Sequence, residues 1–494
     1  MSQIQVNNLS FTYEGSFEPV FSNVSFTLDT DWKLGFIGRN GRGKTTFLKI
    51  LSGELPYQGK IQSTIRFGYF PYSPVAHDAS CHEVARSILG EFEDWELEVE
   101  LSQLGLEEEI LHRPYATLSY GEQTKLLLAI LFLREDRFLL IDEPTNHLDL
   151  HGRELVADYL SRKNGFILVS HDRTFLDSCI DHVLAITPAG ITVCKGNYTS
   201  WARDKAQQDA FEMEQNKQLK KDIRRLETAA RQAADWSNKV ESTKHGSRNS
   251  GLRPDRGFLG HKAAKMMQRS KNIAQRREDV IKEKGKLLRD VETAEGLKLS
   301  PLRWHSNQLA ELRDVYIAYD GRTVCKDVRF TIERGDRIAL QGPNGCGKTS
   351  ILKLICGEDI PCSGYLFVGK GLNISHISQD SSHLLGSLQD YAESWGIDRS
   401  LFFTILRKLD FERNHFSHDL SALSAGQQKK VQLARSLCQQ AHLYVWDEPL
   451  NYVDLLSRTQ IEDLLLEFKP TILFVEHDRA FCERVATKQI ELTK

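Results

Sequence analysis

Short apolar runs recur at matched places in the two halves of this chain. Residues 33–37, Lys-Leu-Gly-Phe-Ile, lead into a glycine-rich stretch and then Thr-Phe-Leu-Lys-Ile at 46–50, which reads as strand, tight loop and helix. Residues 336–340, Asp-Arg-Ile-Ala-Leu, open the same succession in the second half. The runs 138–141 and 443–446 are apolar throughout, as suits strands buried on both faces, and each ends in Asp-Glu. The runs 166–169 and 472–475 are followed two residues later by His171 and His477. The middle of the chain has another period. Leu219, Ile223, Leu226, Ala230 and Ala233 step by four and three, and Met266, Ile273, Val280 and Leu287 by seven, which are coiled-coil spacings. Residues 242–260 between them are rich in Gly, Ser, Arg and Lys and include Pro254, a loop pattern. The pattern therefore predicts a helical hairpin with an irregular tip at about 237–262, able to reach roughly 60 Å from its base.

Four blocks repeat in register. Lys44 recurs as Lys348, Ser119 as Ser424, Asp142 as Asp447 and His171 as His477, at offsets of 304, 305, 305 and 306. Such constancy means duplication. The units are 1–199 and 307–494, with 200–306 between them.

The first block is a phosphate-binding loop, Gly38, Arg39, Asn40, Gly41, Arg42, Gly43, Lys44 and Thr45, with Thr46 opening the helix. Gly342, Pro343, Asn344, Gly345, Cys346, Gly347, Lys348, Thr349 and Ser350 repeat it. Backbone amides of such a loop face phosphates, the lysines hold the β- and γ-phosphates, and the hydroxyls of Thr45 and Thr349 bind Mg²⁺. A buried strand ending in two carboxylates is costly without a compensating charge. A metal-bound triphosphate supplies one, so Asp142 and Asp447 are expected to hold Mg²⁺ through its water shell. Glu143 and Glu448 would orient and deprotonate the attacking water. His171 and His477 are expected at the γ-phosphate.

The segments LSYGE (118–122) and LSAGQ (423–427) resemble the LSGGQ signature of the ATP-binding-cassette family, and the resemblance extends over both units. It implies an α/β fold of two P-loop NTPase domains that close head to tail, with each ATP between the P-loop of one cassette and the signature of the other. Ser424 and Gly426 would then face Lys44, and Ser119 and Gly121 would face Lys348. Asp149 and Asp454 look like the family's D-loop residues. Tyr13 and Tyr319 match its adenine-stacking aromatic, with an ordinary strand aromatic as the lesser alternative for either. The second unit has Gln379 where the family places a Mg²⁺-contacting Gln. The first has Tyr72 there, and Glu122 stands for the signature Gln, so the two sites are expected to turn over unequally.

Length and composition, 494 residues with 40% hydrophobic and 27% charged, suit two or three globular domains. Nine scattered cysteines without a CxxC pair argue against zinc and disulfides and suit a reducing cytoplasm, where they serve as small core residues. No signal peptide or membrane span is legible, because the longest apolar run, near 126–133, is far too short. Net charge is −3, but its distribution is uneven. Residues 201–300 carry 24 Lys and Arg against 15 Asp and Glu, a balance of +9, while the remainder stands at −12. Over 239–277 eleven cations, among them Lys244, Arg248, Arg253, Arg256, Lys262 and Lys265, face only Glu241 and Asp255. Trp236, Phe258 and Met266 interleave with them. A charge run alone is commonly a solvated helix face; cations with apolar residues on a projecting tip suit RNA.

Tandem cassettes joined by a basic helical hairpin linker resemble the ABC-F family of ribosome-associated ATPases over the whole chain. Residues 31–44, Asp-Trp-Lys-Leu-Gly-Phe-Ile-Gly-Arg-Asn-Gly-Arg-Gly-Lys, and 447–454, Asp-Glu-Pro-Leu-Asn-Tyr-Val-Asp, look like the Lsa- and Vga-type antibiotic-resistance members. That resemblance implies a monomeric cytoplasmic protein using ATP and Mg²⁺, with no membrane or DNA partner. It would bind the exit site of the bacterial ribosome, contact 23S rRNA through the tip, shift the P-site tRNA and dislodge lincosamides, pleuromutilins and group A streptogramins. Phe258 is expected nearest the drug. A translation ATPase without drug selectivity and the motor of an exporter with a separate membrane subunit are the alternatives.

Overall fold

The computed structural model describes residues 2–15, 19–72, 79–134, 137–146, 148–187, 190–243, 275, 296–319, 322–381, 383–411 and 413–492. By internal contacts the chain divides into two units, Met1–Trp201 with Ala294–Lys494, and Ala202–Thr293. Both cassettes lie in the first.

The first cassette runs β1 (Gln3–Phe11), β2 (Phe21–Asp29), β3 (Lys33–Ile37), α1 (Lys44–Leu51), β4 (Gln58–Gln62), β5 (Arg66–Phe70), α2 (Cys81–Leu89), α3 (Asp94–Gln103), α4 (Tyr120–Phe132), β6 (Arg137–Asp142), α5 (Leu150–Ser161), β7 (Phe166–Val169), α6 (Arg173–Cys179), β8 (His182–Thr187) and β9 (Gly190–Lys195). Strands β2-β1-β4 make a small antiparallel sheet. The main sheet has the order β5-β6-β7-β3-β8-β9, parallel except for β9.

The continuous apolar strands are explained by what covers them. Leu139, Ile141, Phe166 and Leu168 enter a core with the helices, while Phe138, Leu140, Ile167 and Val169 enter a second core with α1 and the small sheet. Alternate residues thus serve opposite faces, and both faces are dry. The longest apolar run forms α4, whose residues Leu126 to Leu131 are all buried, consistent with a helix that is apolar all round.

Helix α7 (Tyr198–Thr243) follows, 46 residues with no glycine or proline and rich in good helix formers. It bears out the first helix expected of the linker. The expected tip residues Lys244, Arg248, Arg253, Arg256, Phe258, Lys262 and Lys265 lie outside the described residues, as does nearly all of the expected return helix.

The second cassette runs β10 (Gln308–Tyr319), β11 (Arg322–Glu333), β12 (Arg337–Gln341), α8 (Lys348–Ile355), β13 (Cys362–Val368), β14 (Ile374–Ile377), α9 (Leu388–Ser394), α10 (Arg399–Lys408), α11 (Ala425–Cys438), β15 (Leu443–Asp447), α12 (Leu455–Phe468), β16 (Ile472–Val475), α13 (Arg479–Val485) and β17 (Lys488–Glu491). Its sheets, β11-β10-β13 and β14-β15-β16-β12-β17, repeat the plan. The cysteines depart from expectation. Cys81, Cys179, Cys325, Cys346 and Cys482 are buried, but Cys194 on β9 and Cys362 on β13 are exposed, because both sit on strands at a sheet edge. No helix among the described residues is long and apolar enough to cross a membrane.

Phe47 of α1 is fully buried against Phe21, Phe26 and Phe36, with ring centroids 6.1, 5.7 and 5.5 Å away. Phe47→Ala should cost about 3–5 kcal/mol in urea denaturation of the transition that reports on the first cassette. Phe47→Leu should cost less than half of that.

Candidate active sites

Each P-loop turns between a buried strand and a short helix. Gly43 and Gly347 have φ of 90° and 91° and cap α1 and α8 without a side-chain capping bond, so the first helical amides are left to a ligand. A β-carbon on Gly43 would come within 2.5 Å of Val20, so only glycine meets both demands there. The Lys44 ammonium donates to Gly38 O and Arg39 O at 2.6 and 3.1 Å, and that of Lys348 to Gly342 O and Pro343 O at 2.7 and 3.0 Å. Burial lowers the pKa of Lys44, opposed by the nearby carboxylates of Glu143, Asp454 and Asp142. The Tyr13 hydroxyl lies 2.7 Å from Thr46 Oγ1, and that of Tyr319 donates to Ser350 Oγ at 3.2 Å. Both rings are exposed beside their P-loop helices, so neither is a core aromatic.

Strands β6 and β15 deliver the carboxylates. Glu143 and Glu448 follow the last strand residue with φ of 52° and 47°. That left-handed conformation costs about 1–3 kcal/mol for a non-glycine residue and turns each side chain out of the strand. The adjoining strand pins it, since Glu143 N donates to Val169 O at 2.9 Å and Glu448 N to Val475 O at 3.1 Å. Nε2 of His171 stands 3.3 Å from Glu143 Oε1, and Nε2 of His477 stands 3.4 Å from Glu448 Oε1. Thr45 Oγ1 donates to Asp142 Oδ2 at 2.8 Å, and Thr349 bonds Asp447 in the same way. Asp447 Oδ1 is buried with no hydrogen-bond partner. An orphaned oxygen on a buried carboxylate that is bonded to a threonine hydroxyl fits a hard divalent cation such as Mg²⁺.

The two cassettes complete each other. Asn40 Nδ2, in the first P-loop, donates to Tyr452 O at 2.8 Å. A β-carbon on Gly426 would come 2.7 Å from that carbonyl and 3.5 Å from Asn40 Nδ2, so the second signature is packed against the first P-loop. On the other side Asn344 N donates to Asp149 Oδ2 at 3.3 Å. A cavity of about 450 Å³ there is lined by Ser119, Tyr120 and Gly121 from one cassette and Gly345, Gly347, Lys348, Thr349, Gln379, Glu448 and His477 from the other. The expected head-to-tail pairing of signature and P-loop is thus present on both sides.

Ser119 and Ser424 each cap the helix that follows, reciprocated by Glu122 and Gln427. Ser119 N donates to Glu122 Oε2 at 2.8 Å and Ser424 N to Gln427 Oε1 at 2.9 Å. The Glu122 departure therefore leaves the signature geometry intact. The Tyr72 departure changes which side chain reaches the Asp142 carboxylate. Strand register puts Tyr72 level with Gln379, yet Tyr72 is exposed, and it is Tyr69 whose hydroxyl reaches Asp142 Oδ2 at 3.3 Å. In the second cassette Gln379 Nε2 donates to Glu448 Oε2 at 2.9 Å, and Lys429 binds Ser378 O at 2.8 Å. Thr124 stands at the place of Lys429 in the first.

Electrostatics separate the sites further. Burial, aided by Asp142, pushes the Glu143 carboxyl up to about 8. Burial also opposes ionisation of Glu448, but bonds from His477 and Gln379 and the charge of Lys429 outweigh it and hold that carboxyl below its ordinary value. Burial, with the charges of Lys44 and Arg458, pushes the His171 imidazole well below its usual range. Arg153 and Arg458, not anticipated from sequence, tie each D-loop helix to the acid after the histidine: Nη1 meets Asp172 Oδ2 at 2.9 Å and Asp478 Oδ2 at 3.0 Å. Their shared offset of 305 was the available signal.

The profile of the ABC transporter family matches residues 21–146 and 325–451. The chain belongs to that family. Its cassettes bind ATP, and their presence in tandem makes the chain an ATPase. The whole chain is 27% identical over 503 residues to the ribosome protection protein VmlR of Bacillus subtilis (strain 168), covering 99% of this chain and 86% of VmlR. It is 26% identical over 546 residues to the putative ATP-binding protein YdiF of the same organism, covering 100% and 80%. To the ABC transporter F family member 2 of Arabidopsis thaliana it is 26% identical, covering 99% and 76%. It is an ABC-F ATP-binding protein with two cassettes. Among solved structures, an archaeal ribosome recycling factor in complex with a ribosomal stalk protein shares the fold, with TM-score 0.62 and 20% identity over 96% of this chain and 85% of that one.

For this ABC-F protein the raised pKa of Glu143 has a measurable sign. Its neutral form is the one the folded state favours, so its contribution to stability is full below about 4.5 and is lost as pH rises toward about 8. Glu143→Gln cannot ionise. Without nucleotide, its melting temperature relative to the wild type should climb by roughly a few degrees across that window and level off above it. A difference that stays flat from pH 5 to 8 in thermal melts would contradict the assignment.

Proposed function

We propose that this ABC-F ATPase binds ATP at both cassette interfaces and uses the closed state to bind the bacterial ribosome and protect it from antibiotics of the peptidyl transferase centre. The observation that carries the first half is the composite cavity in which Ser119 and Gly121 face Lys348, Thr349, Glu448 and His477. In this reading Lys44 and Lys348 hold the β- and γ-phosphates, the uncapped amides of α1 and α8 surround them, and Tyr13 and Tyr319 stack on adenine. Thr45 with Asp142, and Thr349 with Asp447 and Gln379, are the residues to hold Mg²⁺, whose charge offsets that of the phosphate oxygens. Glu448, ionised and aimed by Gln379 and His477, takes a proton from the water that attacks the γ-phosphorus, and ADP leaves as the bridging bond breaks. Glu143 holds the same place in the other site but favours its neutral form, so that site turns over more slowly.

The second half rests on the ribosome protection relative aligned along nearly the whole chain and on the long helix between the cassettes. Lincosamides, pleuromutilins and group A streptogramins are the drug class, and the Lsa/Vga type the group, with 23S rRNA and the P-site tRNA as contacts. A translation ATPase without drug selectivity is the second reading, favoured by YdiF, which aligns along the whole chain at 26% identity and is named only for ATP binding.

Glu448→Gln should lower ATP turnover by about 10²–10⁴-fold, and Glu143→Gln by clearly less. Equal losses in steady-state assays would refute the inequality of the sites. With ATP, the Glu143→Gln, Glu448→Gln double variant should stay on ribosomes through a sucrose cushion while the wild type dissociates, and no enrichment would remove the ribosome reading. Expression should raise tolerance to at least one of the three drug classes several-fold. Retention on ribosomes without any change in tolerance would favour the second reading.

A further inference from the structure

The seven-residue helix α6 touches three things at once. Its N-cap, Asp172, directly follows His171, the candidate γ-phosphate contact, and accepts from Phe175 N at 3.0 Å. Its first residue, Arg173, crosses to the other cassette. There Nη2 meets Glu462 Oε1 at 2.9 Å, Nη1 meets Glu462 Oε2 at 3.3 Å, and Nη2 also donates to Thr459 Oγ1 at 2.9 Å. Its fifth residue, Asp177, accepts from Thr199 N at 2.8 Å and from the Thr199 hydroxyl. Thr199 is the second residue of α7. Tyr198 and Trp201, with ring centroids 5.9 Å apart, pack on the core of the first cassette, and Tyr198 lies within the field of Arg173.

The far end of the contact is equally placed. Glu462 belongs to α12, the helix capped by Asp454 of the D-loop. Its side chain is 1% exposed and is shared by Arg173 and Arg484. A buried carboxylate between two guanidiniums is strongly coupled to its partners, unlike an exposed pair. The related junction on the opposite side is of that weaker kind. Arg479, the counterpart of Arg173, is 58% exposed, bonds Glu483 of its own helix at 2.8 Å and stands 3.7 Å from Glu154. Ala157 occupies the place of Glu462, and Glu483 that of Asp177. Only one of the two pseudo-equivalent helices therefore grips both the opposite cassette and the start of α7.

We propose that α6 is the link by which cassette closure reaches the root of the linker helix. Arg173 and Asp177 are its positioning residues. The Arg173–Glu462 pair joins different cassettes, so it exists only while they are apposed. Forming it fixes the N-terminal end of α6 against the D-loop helix of the partner cassette, and the same rigid turn of helix fixes Asp177, which holds the amide and hydroxyl of Thr199 at the start of α7. Opening the cassettes removes the outer anchor and loosens the root. This deepens the proposed ATP-driven closure and rests on it.

Hydrogen exchange on the full chain tests the link, in the Glu143→Gln, Glu448→Gln background with and without ATP. ATP should slow exchange about tenfold in the P-loops, 38–46 and 342–350, and also at 197–201. Adding Arg173→Ala should reduce the ATP effect at 197–201 to roughly twofold or less while the second P-loop, 342–350, stays protected, and Arg173→Lys should restore part of it. Glu462→Gln tests the same contact from the other cassette if Arg173→Ala destabilises the first. Asp177→Ala, in an otherwise wild-type chain, should leave ATP turnover within about twofold while the protection at Thr199 is lost. Undiminished ATP protection of 197–201 in Arg173→Ala and Glu462→Gln would overturn the link. P-loops that gain no protection from ATP would instead overturn the closure reading on which it stands.

Discussion

A strand buried on both faces that ends in two acidic residues sets an electrostatic problem, and much of the molecule is arranged around it. Burial raises the pKa of Asp142, Glu143 and Asp447, each of which prefers a neighbouring positive charge to solitude. The P-loop lysine provides part of that charge from within the same cassette. The left-handed turn at Glu143 and Glu448 aims the second carboxylate past the strand end toward the partner cassette. Closing the two halves then brings P-loop, signature and D-loop around the same few atoms. One physical demand, compensation of buried negative charge, thus favours both the phosphate-binding loop and the pairing of cassettes.

Duplication supplied two copies of this arrangement, and the copies have diverged where charge matters most. In the second cassette Gln379, His477 and Lys429 support an ionised Glu448. In the first, no glutamine among the described residues bonds Glu143, His171 is driven toward its neutral form, and Tyr69 bonds Asp142 instead. The interface is uneven as well. Arg39 pairs with Asp410 at 3.1 Å beside the first P-loop, where proline takes the same place in the second. Near-symmetric folds with unequal charge networks are the physical basis of the unequal turnover proposed for the two sites.

The buried Glu462 cluster shows the same one-sidedness and gives it a direction. A rigid pair of helices, α6 and α12, meets through charge at the junction where the linker helix begins. Mechanical connection of a nucleotide site to a distant segment needs an element with two discrete arrangements, and an ion pair that spans two closing bodies is one.

Much of the local structure was legible in the amino-acid order. The P-loops and the strands ending in Asp-Glu depend on glycine conformations and apolar runs, and each lies where the pattern put it, whereas the capping boxes at Ser119 and Ser424 were not read from it. The pairing of the two units was what the family resemblance implied, not something the motif order showed. Contacts between segments far apart were not legible. That Tyr69 rather than Tyr72 reaches Asp142 depends on which side of β5 faces the site. Cys194 and Cys362 are exposed only because their strands became edges. Arg173 and Glu462 are 289 residues apart, each an ordinary charged residue on a helix. Only the packing of one cassette on the other buries them together, because desolvation, which makes such a pair matter, is a property of the assembled surface and leaves no mark on the chain.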